Sequence, residues 1–163
     1  MLLSFAIGNI GGEFTPPYLK GVIMAEYTAI AAQTVQPTGN VLLTETPICG
    51  GKCITHREGA GVITLRGITN QCRARYRVTF GGNIALPTGG TLGGISLAIA
   101  VQGEPLPSTV MIETPAAVNE YGNVSASVFI DVPQGCCVPI SVVNTSTEAV
   151  LVANANIIAE RVA

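Results

Sequence analysis

From Arg73 to Phe80 the chain alternates residue by residue. Arg73, Arg75, Arg77 and Thr79 fall on one side of an extended backbone, and Ala74, Tyr76, Val78 and Phe80 fall on the other. A helix does not sort side chains this way, so the segment is predicted as a strand with one core face. Ile95 to Val101 alternates more softly, with Ile95, Leu97, Ile99 and Val101 against Ser96, Ala98 and Ala100. Small apolar residues on the second side predict a strand covered on both faces. Apolar, β-branched runs at Tyr27 to Val35, Val41 to Thr46, Gly61 to Gly67 and Ile84 to Leu86 add strands. So do Val110 to Glu113, Val124 to Val132, Val138 to Val143, Ala149 to Ala153 and Ile157 to Val162. Between them stand turn residues: Gln36 to Asn40, Gly81-Gly82-Asn83, Pro87 to Gly90, Gly93-Gly94, Pro115, Tyr121 to Asn123, Pro133 to Gly135 and Asn154 to Asn156. About ten short strands at this spacing predict an all-β, antiparallel two-sheet jelly roll, which limits exposed edges. An immunoglobulin-like sandwich is the runner-up, weakened by the lack of any Trp and of two cysteines bracketing a central strand.

The composition sharpens this picture. In 163 residues 48% are hydrophobic and only 11% charged, with 19 glycines and 10 prolines. A chain of this size buries a sizeable core, and its low charge argues against an ordinary helical enzyme. The net charge of -2 and a pI near 5.3 supply no general attraction to nucleic acid or to anionic lipid. Mean hydropathy is high at +0.49, yet no run approaches the roughly 20 apolar residues of a spanning helix. Met1 to Ile10 is apolar but lacks the basic start of a signal peptide. Met24 opens a second plausible start. Residues 1–24 are therefore expected to be an N-terminal extension, with Phe14, Pro16, Pro17 and Tyr18 as a docking arm, and residues 25–163 a single domain.

Three stretches carry a family resemblance. His56 to Leu65 (HREGAGVITL), Arg75 to Pro87 (RYRVTFGGNIALP) and Ile95 to Leu106 (ISLAIAVQGEPL) resemble the compact TNF/C1q-like jelly rolls of spore-forming bacteria and their phages. The C-terminal domain of the collagen-like spore-surface glycoprotein is a relative in that group. Asn144-Thr145-Ser146 and the closing strand ending in Ala159-Glu160-Arg161-Val162 are similar to the return strand of such domains. The resemblance spans about residues 25–163 and implies a homotrimer or larger homo-oligomer with a structural role at a spore or virion surface. One departure is plain: no Gly-X-Y repeat is present, so the collagen-like stalk is missing.

Residues that could carry chemistry are few. Cys49, Cys53, Cys72, Cys136 and Cys137 are an odd set, so at least one thiol stays unpaired or bonds between chains. Cys49, Cys53, Cys136 and Cys137 are the disulfide candidates, within or between subunits; reduced, inert thiols are the alternative. Cys49 and Cys53, with Cys72 or His56, form an incomplete zinc pattern. A cysteine–histidine hydrolase needs His56 as base and Cys53 or Cys72 as nucleophile, but the single histidine lies among Arg57 and Glu58 with no Asp nearby to orient it. Asp131 is the sole aspartate, which disfavours calcium loops and carboxylate dyads.

Arg66, Arg73, Arg75 and Arg77 form the one basic concentration. Without interleaved aromatics it suits an interface ladder paired to carboxylates better than stacked bases, with phosphate or a sialylated glycan as the other ligand class. Residues 1–80 carry a net +3 and residues 81–163 a net -5, so the halves attract within or between chains. Asn123-Val124-Ser125 and Asn144-Thr145-Ser146 are formal glycosylation sequons. The residues thus predict a non-enzymatic protein without a cofactor whose partner is itself, with surface glycans as a second partner class and neither nucleic acid nor membrane. The expected setting is a spore or cell surface layer or appendage; the alternatives are a virion structural or decoration protein and a glycan- or receptor-binding module.

Overall fold

The computed structural model describes residues 23–163. The arm residues Phe14, Pro16, Pro17 and Tyr18 lie outside them. Twelve strands and one 3-10 turn, Pro107–Thr109, make up the described fold. Sheet one runs β10 (Gly122–Pro133), β6 (Arg73–Ala85), β12 (Val150–Arg161), β1 (Met24–Ala29) and β3 (Glu45–Ile48), with β2 (Gln33–Val35) also on β12. Sheet two runs β4 (Ile54–His56), β5 (Ile63–Arg66), β11 (Cys137–Asn144), β7 (Ile95–Val101) and β8 (Glu104–Pro105), with β9 (Met111–Glu113) also on β7. Every pairing is antiparallel. The jelly-roll expectation holds, with two sheets closing on one core.

Alternation explains the core. Ala74, Tyr76, Val78 and Phe80 of β6 are fully buried while Arg73 and Arg77 are exposed, so the period-two reading assigns the faces correctly. Against them pack Ile63 and Leu65 of β5, Leu97 and Ile99 of β7, and Ile140 of β11. At the expected two-sided strand, Ala98 and Ala100 on the outer face of β7 are as buried as Ile95 and Leu97 on its inner face.

Several boundaries differ from the sequence reading. Tyr27 to Val35 is two strands, because the chain leaves the sheet at an exposed Ile30. Val41 and Leu43 are buried as expected, but Val41 to Thr44 crosses between sheets, held by Val41 N–H to Val142 O at 2.8 Å and Leu43 N–H to Ala60 O at 3.0 Å. Strand β4 had no sequence signal of its own. The larger correction concerns two predicted turns. Gly81-Gly82-Asn83 does not end a strand, and Asn154-Ala155-Asn156 does not separate two. They lie opposite each other, where the β6–β12 register slips between Ala153 and Asn156 and Asn154 takes φ +55°. Both signatures belong to one β-bulge. Gly82 fits because a Cβ there would press on the Phe80 ring and the Ala155 backbone.

Candidate assembly face and cysteine-bearing end

The outer face of sheet one is built from in-register rows. Phe129 on β10 pairs with Arg77 on β6, Arg77 with Glu160 on β12, and Glu160 with Met24 on β1. The next row is Ser127, Thr79, Ile158, Glu26 and, on β3, Ile48. Phe129 is 61% exposed, Met24 39% and Ile48 43%, and Ile158 is half-buried. Four apolar side chains thus share these two rows with the Arg77–Glu160 ion pair, which closes at 2.5 Å. Towards the bulge the face turns polar. Asn123 donates to Asn83 and Asn83 to Asn154, each at 3.1 Å, and Asn156 donates to Glu26.

The arginine ladder sits on this face, and its carboxylate partners belong to the same chain. Asp131 lies across the strand pair from Arg75 and takes both guanidinium nitrogens, Nε at 2.7 Å and Nη2 at 3.0 Å, while Arg73 Nε reaches it at 3.0 Å. The Arg75 hydrogen bonds hold the Asp131 carboxyl below its usual range. These groups are exposed, so water and salt screen the pairs and they set side-chain positions more than they stabilise the fold. Gln71, Cys72, Arg73, Arg75 and Ala163 line a bay of about 260 Å³ beside them.

All five cysteines lie at this same end of the sandwich. Cys72 immediately precedes β6 and its carbonyl accepts Gln134 N–H at 3.0 Å. Cys136 turns back to Pro133 and its carbonyl accepts Gly67 N–H at 2.8 Å. Cys137 opens β11 opposite Arg66 of β5, and the Cys53 carbonyl accepts Arg66 N–H at 2.8 Å. Cys49 follows β3 at the same end. All five are free thiols; Cys53 is buried and the other four are exposed. Lys52, Arg66, Arg73, Arg75 and Arg161 surround them. At the opposite end Glu113, Glu120 and Glu148 flank the loops, so charge is polarised along the strands.

The alternative chemistries do not assemble. Among the described residues no three of His, Cys, Asp and Glu come together as a metal site. His56 places Nε2 2.9 Å from the Ala60 carbonyl, to which it donates, and stacks on Tyr27 with ring centroids 4.6 Å apart. Its Nδ1 is buried with no hydrogen-bond partner among the described residues, so neither nitrogen reaches a thiol as a base must. Of the two sequons, Asn123 is exposed while Asn144 is fully buried with its amide engaged, so Asn144 is closed to a glycan. Burial of that amide is a functional constraint that the sequon pattern concealed. The apolar patch was missed because Phe129 and Ile158 lie on different strands of unremarkable sequence.

No protein-family model matches the chain, and neither does any curated protein sequence. Solved structures do resemble it. A TNF-type protein, Eiger from S. frugiperda, superposes with TM-score 0.65 at 9% identity, over 88% of this chain and 94% of that one. The globular domain of zebrafish complement 1qA gives 0.59 at 9% identity, over 86% and 95%. Murine APRIL gives 0.60 at 10% identity, over 86% and 99%. The chain therefore has the TNF/C1q-like jelly-roll fold. Among the described residues no helix is long and apolar enough to cross a membrane.

Proposed function

We propose that the protein is a non-enzymatic structural module that self-associates, as a homotrimer or larger homo-oligomer, through the outer face of sheet one. The observation that carries this reading is the patch of Phe129, Met24, Ile48 and Ile158 in the same two rows as the Arg77–Glu160 pair. An exposed aromatic on the edge strand, in the same rows as apolar and ion-paired side chains, gives this face the mixed aromatic and apolar composition of an interface. A second copy is the favoured occupant because the TNF/C1q-like resemblance implies trimers. Arg73, Arg75 and Arg77 lie on this face as interface candidates, and the extension ahead of β1, with Phe14, Pro16, Pro17 and Tyr18, would be an arm that docks on a neighbour. The setting we propose is a spore or cell surface layer or appendage, on the resemblance of His56 to Leu65, Arg75 to Pro87 and Ile95 to Leu106 alone, with a virion shell as the alternative.

Paired variants on opposite sheets test the face. Phe129→Asp places a charge at the patch, whereas Ile112→Asp alters a 67% exposed residue on β9 in sheet two. Light scattering should show the assembled mass falling for Phe129→Asp and unchanged for Ile112→Asp. The reverse pattern, or no change in either, contradicts the assignment.

A further inference from the structure

Cysteine is among the residues most often fully buried, where it behaves as a small apolar side chain. Here only Cys53 does so. Four thiols from three distant stretches of sequence are exposed at one end of the sandwich. Their backbones are fixed by the hydrogen bonds of Cys72, Cys136 and Gly67 described above. Cys136 and Cys137 are consecutive at the start of a strand, so their side chains leave on opposite sides and one internal partner cannot serve both. The neighbour of Cys137 on β5 is Arg66, not a thiol. Five thiols in any case cannot all pair within one chain.

We propose that this end is a disulfide lock between copies of the chain, with Cys72, which immediately precedes β6 of sheet one, as its principal thiol and Cys136 and Cys137 beside it. The inference rests on the self-association reading. In a cyclic assembly every copy presents its cysteine-bearing end to the same side, so the exposed thiols of neighbours stand at one level. Each bond joins two Sγ atoms and releases two protons and two electrons. A small-molecule disulfide such as oxidised glutathione accepts both: its own S–S bond breaks, a mixed disulfide forms, and the neighbour's thiolate displaces the second glutathione thiol. Lys52, Arg66, Arg73, Arg75 and Arg161 outnumber Asp131, the carboxylate that Arg73 and Arg75 share, so this end keeps a positive field that draws such an anionic oxidant.

The test uses the full chain, first reduced and weighed by light scattering, then treated with oxidised glutathione, alkylated and run on a denaturing gel without reductant. Bands of two and three copies that collapse on reduction, with a cross-chain peptide containing Cys72, are expected, and Cys72→Ser should remove most of them. A single-copy band overturns the lock, whether its mass shows glutathione adducts, internal bonds or free thiols. If Cys72→Ser fails to fold, the peptide map of the unaltered chain decides. An assembly that persists under reductant beside single-copy bands refutes the lock alone, whereas single copies in the reduced sample refute the self-association reading itself.

Discussion

Replacing Asn144 by Ala should cost the fold more than any other single change to a polar side chain outside the ion pairs. Asn144 ends β11 with no exposed surface, and its amide uses its full hydrogen-bonding capacity. Nδ2 donates to the Val35 carbonyl at 3.0 Å and to the Glu148 carbonyl at 2.8 Å, while Oδ1 accepts from Ser146 N–H at 2.8 Å and Ser146 Oγ at 2.5 Å. The side chain thereby ties β11 to β2 of the other sheet and to the turn that launches β12. Alanine removes all four bonds. Water can reach the partly buried Ser146 and Glu148 groups, which limits their loss to about 1 kcal/mol each, whereas the buried Val35 carbonyl is orphaned at a cost of about 1–3 kcal/mol. The expected total is roughly 3–5 kcal/mol, or on the order of 10–15 °C in Tm for a domain of this size. Urea denaturation followed by circular dichroism gives the number, with Asn123→Ala as the control. Asn123 is exposed, and its loss should stay within about 0.5 kcal/mol. Equal midpoints for the two variants would refute the role assigned to Asn144.

Two further outcomes follow from the core and from the cysteine-bearing end. Burial pushes the Tyr76 hydroxyl up to about 12 from 10.0, so the folded state holds this proton more tightly than the unfolded one; its stabilising effect is complete below pH 10 and is lost between about pH 10 and 12. Tyr76→Phe, which loses the 2.7 Å bond to the Arg66 carbonyl, should lower stability by about 1–2 kcal/mol near neutral pH and flatten the decline in alkali. Gly67→Ala should destabilise by several kcal/mol, because the new Cβ would run into the Pro133 carbonyl on a backbone pinned by Cys136 and Gly135; an unchanged melting temperature would show that the β10–β11 turn is looser than described.

What was legible in the sequence was whatever alternation writes into a strand. The faces of β6 and β7, the positions of β5, β10 and β11, and the two-sheet class all follow from side chains that must be apolar on one side and polar on the other. The continuity of β6 and β12 did not show, because Gly-Gly-Asn and Asn-Ala-Asn satisfy a bulge and a turn with the same left-handed or side-chain-free backbone. Strand β4 was hidden by its length, three residues between loops rich in Gly. The meeting of Cys49, Cys53, Cys72, Cys136 and Cys137 at one end depends on three connections closing together in space, which no local pattern encodes. The same is true of the Phe129 patch, whose rows exist only once five strands are in register.

Self-association through sheet one is tested most directly by the mass of the unaltered chain, measured by light scattering in reductant across the micromolar range. An interface of the standard ~800 Å² per partner is ample to hold copies together there. The account predicts a mass three times that of the 16.7 kDa chain, or a larger whole multiple, constant on dilution. A mass of 16.7 kDa at every concentration would contradict it.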